Sequence, residues 1–168
     1  MDKVLVTGAT GFIGLHCIQQ LLAKGYQVNG SLRSLSRESE IRDGLSAAGT
    51  NHENLKLFPL DLNTDDGWDE AMSDCDYLLH VASPISLDDQ DEEYFVKPAV
   101  AGVKRALNYA KKHNIKKVVL TSSVAAIFDT MEKKDYYASK SESILLSEVP
   151  IAASTASLRP SPSSSVRL

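Results

Sequence analysis

Three glycines near the start of the chain, Gly8, Gly11 and Gly14, constrain its folding more than any other feature. They follow an apolar run, Val4-Leu5-Val6, and they open a segment with Ile13, Cys17 and Leu21 at helical spacing. Apolar run, glycine turn and amphipathic segment in that order predict a strand that turns tightly into a helix. Glycine lets the backbone turn and lets a ligand approach it closely. The helix start that follows carries N–H groups without acceptors of their own, which suit the phosphates of a dinucleotide. A purely structural tight turn is the competing explanation.

The same two patterns alternate along the rest of the chain. Strands are predicted at residues 4–7, 28–32, 55–60, 77–81 and 117–121, and helices at 12–23, 36–47, 66–73, 93–112 and 136–147. The long helix places Val96, Val100, Val103, Leu107 and Ala110 at helical spacing. Such alternation predicts an α/β fold, a doubly wound parallel sheet of about five strands with helices on both faces.

The length of 168 residues suits one domain, and 43% apolar with 24% charged residues is a globular composition. The predicted domain covers residues 1–148, and 149–168 read as a disordered Ser/Pro-rich tail. Residues 151–168 hold six serines, two prolines, no acid and no periodic apolar pattern. A net charge of −4 gives no support for nucleic-acid binding. No apolar run is long enough for a membrane span and no signal peptide precedes the first strand, so the cytoplasm is the expected location. Cys17 and Cys75 sit in apolar patterns and read as buried small residues in a reducing compartment. No histidine pair stands at ligand spacing, and no metal is expected.

The end of the second strand bears on the cofactor. An acid there would bond the ribose hydroxyls, and an arginine would accept a 2′-phosphate. Ser31-Leu32-Arg33-Ser34 has no acid before Glu38, so Arg33, helped by Arg37, points to NADP rather than NAD. A solvated loop charge is the alternative for Arg33. Asp61 and Leu62 follow the third strand, on the ligand side of an open sheet. A cap on the next helix is the alternative for Asp61. After the fourth strand, His80-Val81-Ala82-Ser83-Pro84 offers small residues against which a flat ring could lie, and His80 reads as structural.

Strand five runs into Thr121-Ser122-Ser123, and Tyr136 follows Ser123 by thirteen residues, within Tyr136-Tyr-Ala-Ser-Lys140. Tyr-x-x-x-Lys puts two side chains on one helical face. A free tyrosine titrates near ~10, and a neighbouring ammonium lowers that value. The phenol can then exchange a proton at neutral pH. Tyr137 has the wrong spacing to Lys140 for this.

Thr7-Gly8-Ala9-Thr10-Gly11-Phe12-Ile13-Gly14 resembles the extended branch of the short-chain dehydrogenase/reductase superfamily. The segments around His80–Pro84 and Thr121–Asp129 resemble its dihydroflavonol reductase, cinnamoyl-CoA reductase and methylglyoxal (aldehyde) reductase group more than its sugar epimerases. The resemblance covers residues 3 to about 147. It implies a Rossmann-type fold, with Gly8, Thr10, Gly11, Phe12, Ile13, Gly14, Arg33, Asp61, Leu62, Val81 and Ala82 on the cofactor, joined by Tyr136 and Lys140. Asp61 would lie near the adenine amino group. Ser123 would bond the substrate oxygen, Tyr136 would transfer the proton, and Lys140 would tune Tyr136 and hold the nicotinamide ribose.

The activity implied is hydride transfer between NADP and a small aldehyde, ketone or alcohol. Ile144 and Leu145 on the last helix would allow a homodimer. Members of the group have a longer segment between the serine and the tyrosine, and continue for roughly as many residues again, which form the substrate lobe. The expectation is therefore a chain truncated after about residue 147, its C-terminal substrate lobe missing. The alternatives are a non-catalytic dinucleotide-binding fragment or, more remotely, a sugar-nucleotide epimerase or dehydratase.

Overall fold

Among the described residues five short strands, β1 (Lys3–Thr7), β2 (Gln27–Leu32), β3 (Leu55–Pro59), β4 (Tyr77–His80) and β5 (Lys117–Leu120), build one sheet in the order β3-β2-β1-β4-β5. Every pairing is parallel. The computed structural model describes residues 1–84 and 92–122, with the backbone alone for 92–95. The helices are α1 (Phe12–Ala23), α2 (Glu38–Ala47), α3 (Trp68–Met72) and α4 (Glu92–Lys112). This is the doubly wound α/β architecture expected from the alternation, of the Rossmann type that the family resemblance implied. The predicted last helix and the tail lie outside the described residues.

The sheet is covered on both faces, which explains the unbroken apolar run at its centre. Successive side chains of a strand point to opposite faces. Val4 and Val6 therefore pack with Val28, Ile18, Leu22, Ile41 and Leu45 under α1 and α2. Leu5 packs on the other side with Leu78, Val118, Trp68, Met72, Ala106 and Ala110 under α3 and α4. Val4, Leu5 and Val6 are all within 1% of complete burial.

Chain order reverses beside β1. After β3 the chain crosses back and adds β4 and β5 on the opposite side. The carboxyl ends of β1 and β4 consequently diverge into a crevice, where open α/β sheets hold ligands. Thr7, the last residue of β1, stands between Ser31 of β2 and His80 of β4.

Boundaries differ from the sequence expectation in a few places. The third, fourth and fifth strands each end one residue earlier, at Pro59, His80 and Leu120. The single helix expected at 36–47 divides into a 3-10 turn at Leu35–Arg37 and α2. Ser34 caps that turn by accepting from the Ser36 N–H at 3.3 Å. α3 begins later than expected because the preceding residues form their own turn. The Thr64 N–H donates to Asp61 O at 3.4 Å, and the Trp68 indole N–H donates to Thr64 O at 3.2 Å. Among the described residues no helix is long and apolar enough to cross a membrane.

Candidate functional site

The glycine turn leaves no room for a Cβ at Gly14 and strains one at Gly8. β1 ends at Thr7, and Gly8 follows with φ at +78°. The Gly11 N–H donates to Gly8 O at 3.0 Å. A Cβ on Gly14 would stand 2.1 Å from that same Gly8 O, so α1 lies directly against the turn. Gly11 is the N-cap of α1, no side chain caps it, and no acid occupies the first turn. The positive end of the helix dipole is left for a ligand rather than neutralised from within.

The opposite wall is locked by a buried polar pair. Thr7 is completely buried and His80 is 2% exposed. Thr7 Oγ1 accepts from the Val81 N–H at 3.0 Å and from the Ala82 N–H at 3.1 Å. It also stands 3.0 Å from His80 Nδ1. Two N–H groups already donate to this oxygen, which leaves its single proton for Nδ1 of a neutral imidazole, while His80 Nε2 is buried with no hydrogen-bond partner among the described residues. Burial agrees, pushing the His80 pKa down to about 4. His80 is a structural residue here, as its strand-end position suggested. The pair holds Val81 and Ala82 beside the turn, where a Cβ on Gly8 would come within 3.1 Å of the Ala82 Cβ.

A cleft of about 690 Å³ runs along the carboxyl ends of the strands. Gly8, Thr10, Gly11, Phe12, Ile13 and Gly14 form one side of it. Val81 and Ala82 line it after β4, Arg33 after β2, and Asp61 and Leu62 after β3. Every cofactor-side residue inferred from the sequence and lying within the described segments thus borders this one cleft. Ser31, Leu32, Ser34, Leu60 and Asn63 line it as well and were not singled out, while Ser83 and Pro84 continue the small-residue wall after β4. Each neighbours a predicted residue at a strand end, so the strand-end rule applied more widely would have found them. Ser123, Tyr136 and Lys140 lie outside the described residues.

Two polar residues of the rim have partners that their positions in the sequence did not disclose. Arg37 lines the cleft, yet Glu40 holds its guanidinium, with Nε at 2.9 Å from Oε1 and Nη2 at 2.7 Å from Oε2. The contact raises the Arg37 pKa and lowers that of Glu40. Asp61 does not cap α3, whose N-cap is Gly67. Its Oδ1 instead accepts from the Asn63 backbone at 2.8 Å and the Asn63 side-chain amide at 3.0 Å. That closes a turn at the end of β3.

Comparison with known proteins follows the same outline. The NAD dependent epimerase/dehydratase family profile matches residues 4–148. Cinnamoyl-CoA reductase 1 of Petunia hybrida is 38% identical over 127 residues, covering 74% of this chain and 36% of that protein. Fatty acid hydroxylase uhd1 of Mycosarcoma maydis is 33% identical over 127 residues, covering 76% of this chain and 41% of that protein. The chain thus spans about two fifths of the length of these relatives. Among solved structures, yeast methylglyoxal/isovaleraldehyde reductase Gre2 complexed with NADPH superposes with a TM-score of 0.61. It is 37% identical, over 74% of this chain and 38% of that one.

Proposed function

From its membership of the NAD dependent epimerase/dehydratase family we propose that this chain is the cofactor half of an NADP-dependent carbonyl reductase, with the cleft as its dinucleotide site. One observation carries the proposal: the uncapped start of α1, pressed against Gly8 at the point where strand order reverses. A side chain at position 14 would strike Gly8 O and push the start of α1, with its N–H groups, away from the turn.

The residues present fit the group. The α1 N-terminus offers N–H donors to the diphosphate. Arg33, exposed at the end of β2, offers a planar fork to a 2′-phosphate. Asp61 offers Oδ2 to the adenine amino group, since Oδ1 is taken by Asn63. Val81 and Ala82 give the ring a flat, small-residue wall. The dinucleotide, when bound, supplies or accepts the hydride. Ser123 is assigned to bonding the substrate oxygen, Tyr136 to passing the proton, and Lys140 to keeping that phenol ionisable. Preference for NADP is supported by Arg33 and by the NADPH in the Gre2 structure.

The substrate is a small carbonyl compound or the corresponding alcohol. The relatives' names include a hydroxylase and a CoA-ester reductase, as expected if the shared segment handles the cofactor and not the substrate. A fluorescence titration with NADPH, with NADH as control, tests the site, and a panel of aldehydes and ketones tests turnover. NADPH-preferring binding with turnover supports the whole proposal. Binding without turnover reduces it to a dinucleotide-binding module, and failure to bind either cofactor refutes it.

A further inference from the structure

We infer that Arg105, within α4, is a positioning residue for adenine recognition, a role that rests on the dinucleotide site proposed above. Its Nη1 donates to Leu62 O at 2.6 Å, and its Nε donates to the Asp65 carboxylate. The guanidinium therefore spans the turn after β3, of which Asp61, Leu62 and Asn63 line the cleft.

Two further residues of α4 grip the same turn. A Cβ on Gly102 would come 3.3 Å from the Leu62 Cβ, a tight contact, so the glycine lets the helix lie close against the turn. The Tyr109 hydroxyl donates to Asp65 O at 3.2 Å. Positions 102, 105 and 109 fall on one stripe of a helix. Together they hold the turn from behind while its other side faces the cleft.

Attachment of α3 to α4 does not need this grip. Trp68 stacks on Tyr109 with ring centroids 5.7 Å apart, and Asp69 bonds both Lys112 and His113. Nor does the ion pair by itself explain Arg105, because the Asp65 side chain is 74% exposed and such pairs contribute little. The bond to Leu62 O is different, since it fixes the backbone between Asp61 and Asn63. A carboxylate that reads one amino group must be held to a fraction of an ångström. The turn's internal bonds, Asn63 to Asp61, shape it but do not anchor it to the sheet.

Base discrimination separates this role from general stabilisation. The probes are NADPH and its hypoxanthine analogue, in which an oxo group replaces the 6-amino group. The unaltered chain should bind NADPH about tenfold more tightly than the analogue, the loss expected for one charge-assisted hydrogen bond. Arg105→Met should bring the ratio of the two dissociation constants close to one. Arg105→Lys, which can reach one acceptor but not both, should restore part of it. Asp65→Asn, which removes only the exposed ion pair and leaves the bond to Leu62 O, should leave the ratio nearly unchanged. Equal weakening of both dinucleotides in the Arg105 variants would overturn the inference, as would equal binding of both by the unaltered chain. An unaltered chain that is folded but binds neither dinucleotide would overturn the site itself, and with it this role.

Discussion

The two sides of the cleft are built by opposite means. Around β1 and β4 the structure relies on backbone and burial: half-buried Gly8 against buried Gly14, and Thr7 against His80, both sealed from water. Around β2 and β3 it relies on exposed side chains, with Arg33 free of such packing, Arg37 tied to Glu40, and Asp61 folded onto Asn63. Backbone and buried groups cannot change without disturbing the fold. Exposed side chains can. The first side suits what every dinucleotide has in common, the diphosphate, and the second suits what differs between dinucleotides.

The sharpest way to break that contrast is to place a side chain on the buried side. Gly14→Val would drive Cβ to within 2.1 Å of Gly8 O, where the obstacle is backbone and cannot swing away. Overpacking of this kind costs typically ~1–3 kcal/mol, and more where nothing yields. Binding of NADPH and NADH should fall together, by about a thousandfold, in a protein whose far-ultraviolet circular dichroism still shows helices. Retention of binding would mean that α1 does not receive the diphosphate.

Acid probes the same side without mutation. The His80 pKa is about 4 in the folded chain, whereas an unfolded histidine titrates near 6.5. Between those values the unfolded chain binds a proton that the folded chain refuses. Stability from this group is thus complete above pH 6.5 and is lost as pH falls toward 4, by at most ~3 kcal/mol. The lowered carboxyl pKa values of Asp69 and Asp76, held down by Lys112 with His113 and by Lys116 with the Lys3 N–H, add losses only below the ordinary carboxylate range. Urea unfolding between pH 7 and 4.5 should show the slope, and His80→Gln should flatten it. An unchanged slope in the variant would remove His80 as the cause.

How far each side was legible in the sequence follows from the same contrast. Val4-Leu5-Val6 announces a strand buried on both faces, and Gly8, Gly11 and Gly14 announce the turn, because local spacing alone carries both signals. What holds these parts in place was hidden. Thr7 and His80 are 73 positions apart, and Arg105 lies 43 beyond Leu62. No local pattern marks such pairs; they exist only once parallel pairing has placed β4 beside β1 and α4 behind β3. Asn29 is a similar case, a polar residue in the second strand that is 3% exposed because its amide donates to Ala71 O at 2.7 Å.

On the exposed side, Arg33→Ala should sharpen the contrast by affecting one dinucleotide only. Loss of a guanidinium from a phosphate costs about tenfold in affinity for NADPH. NADH, which lacks the 2′-phosphate, should bind as before. Parallel titrations check this, and equal loss for both cofactors would place Arg33 outside the 2′-phosphate site.

The smallest effect concerns the competition at Arg37. Glu40 occupies two of its guanidinium nitrogens, and the side chains of the pair are 47% and 55% exposed. Exposed pairs of this kind contribute ~0.2–1 kcal/mol, so a 2′-phosphate can compete for the guanidinium at modest cost. Glu40→Gln removes the negative charge that both holds Arg37 and repels the phosphate. NADPH affinity should rise about threefold, NADH affinity should stay level, and the gain should shrink as salt screens both interactions. An equal gain for NADH, or one insensitive to salt, would mean that Arg37 serves the rim of the fold and not the phosphate. In either case the change should leave the glycine turn and the Thr7–His80 lock untouched, because they share no bonded partner with this surface pair.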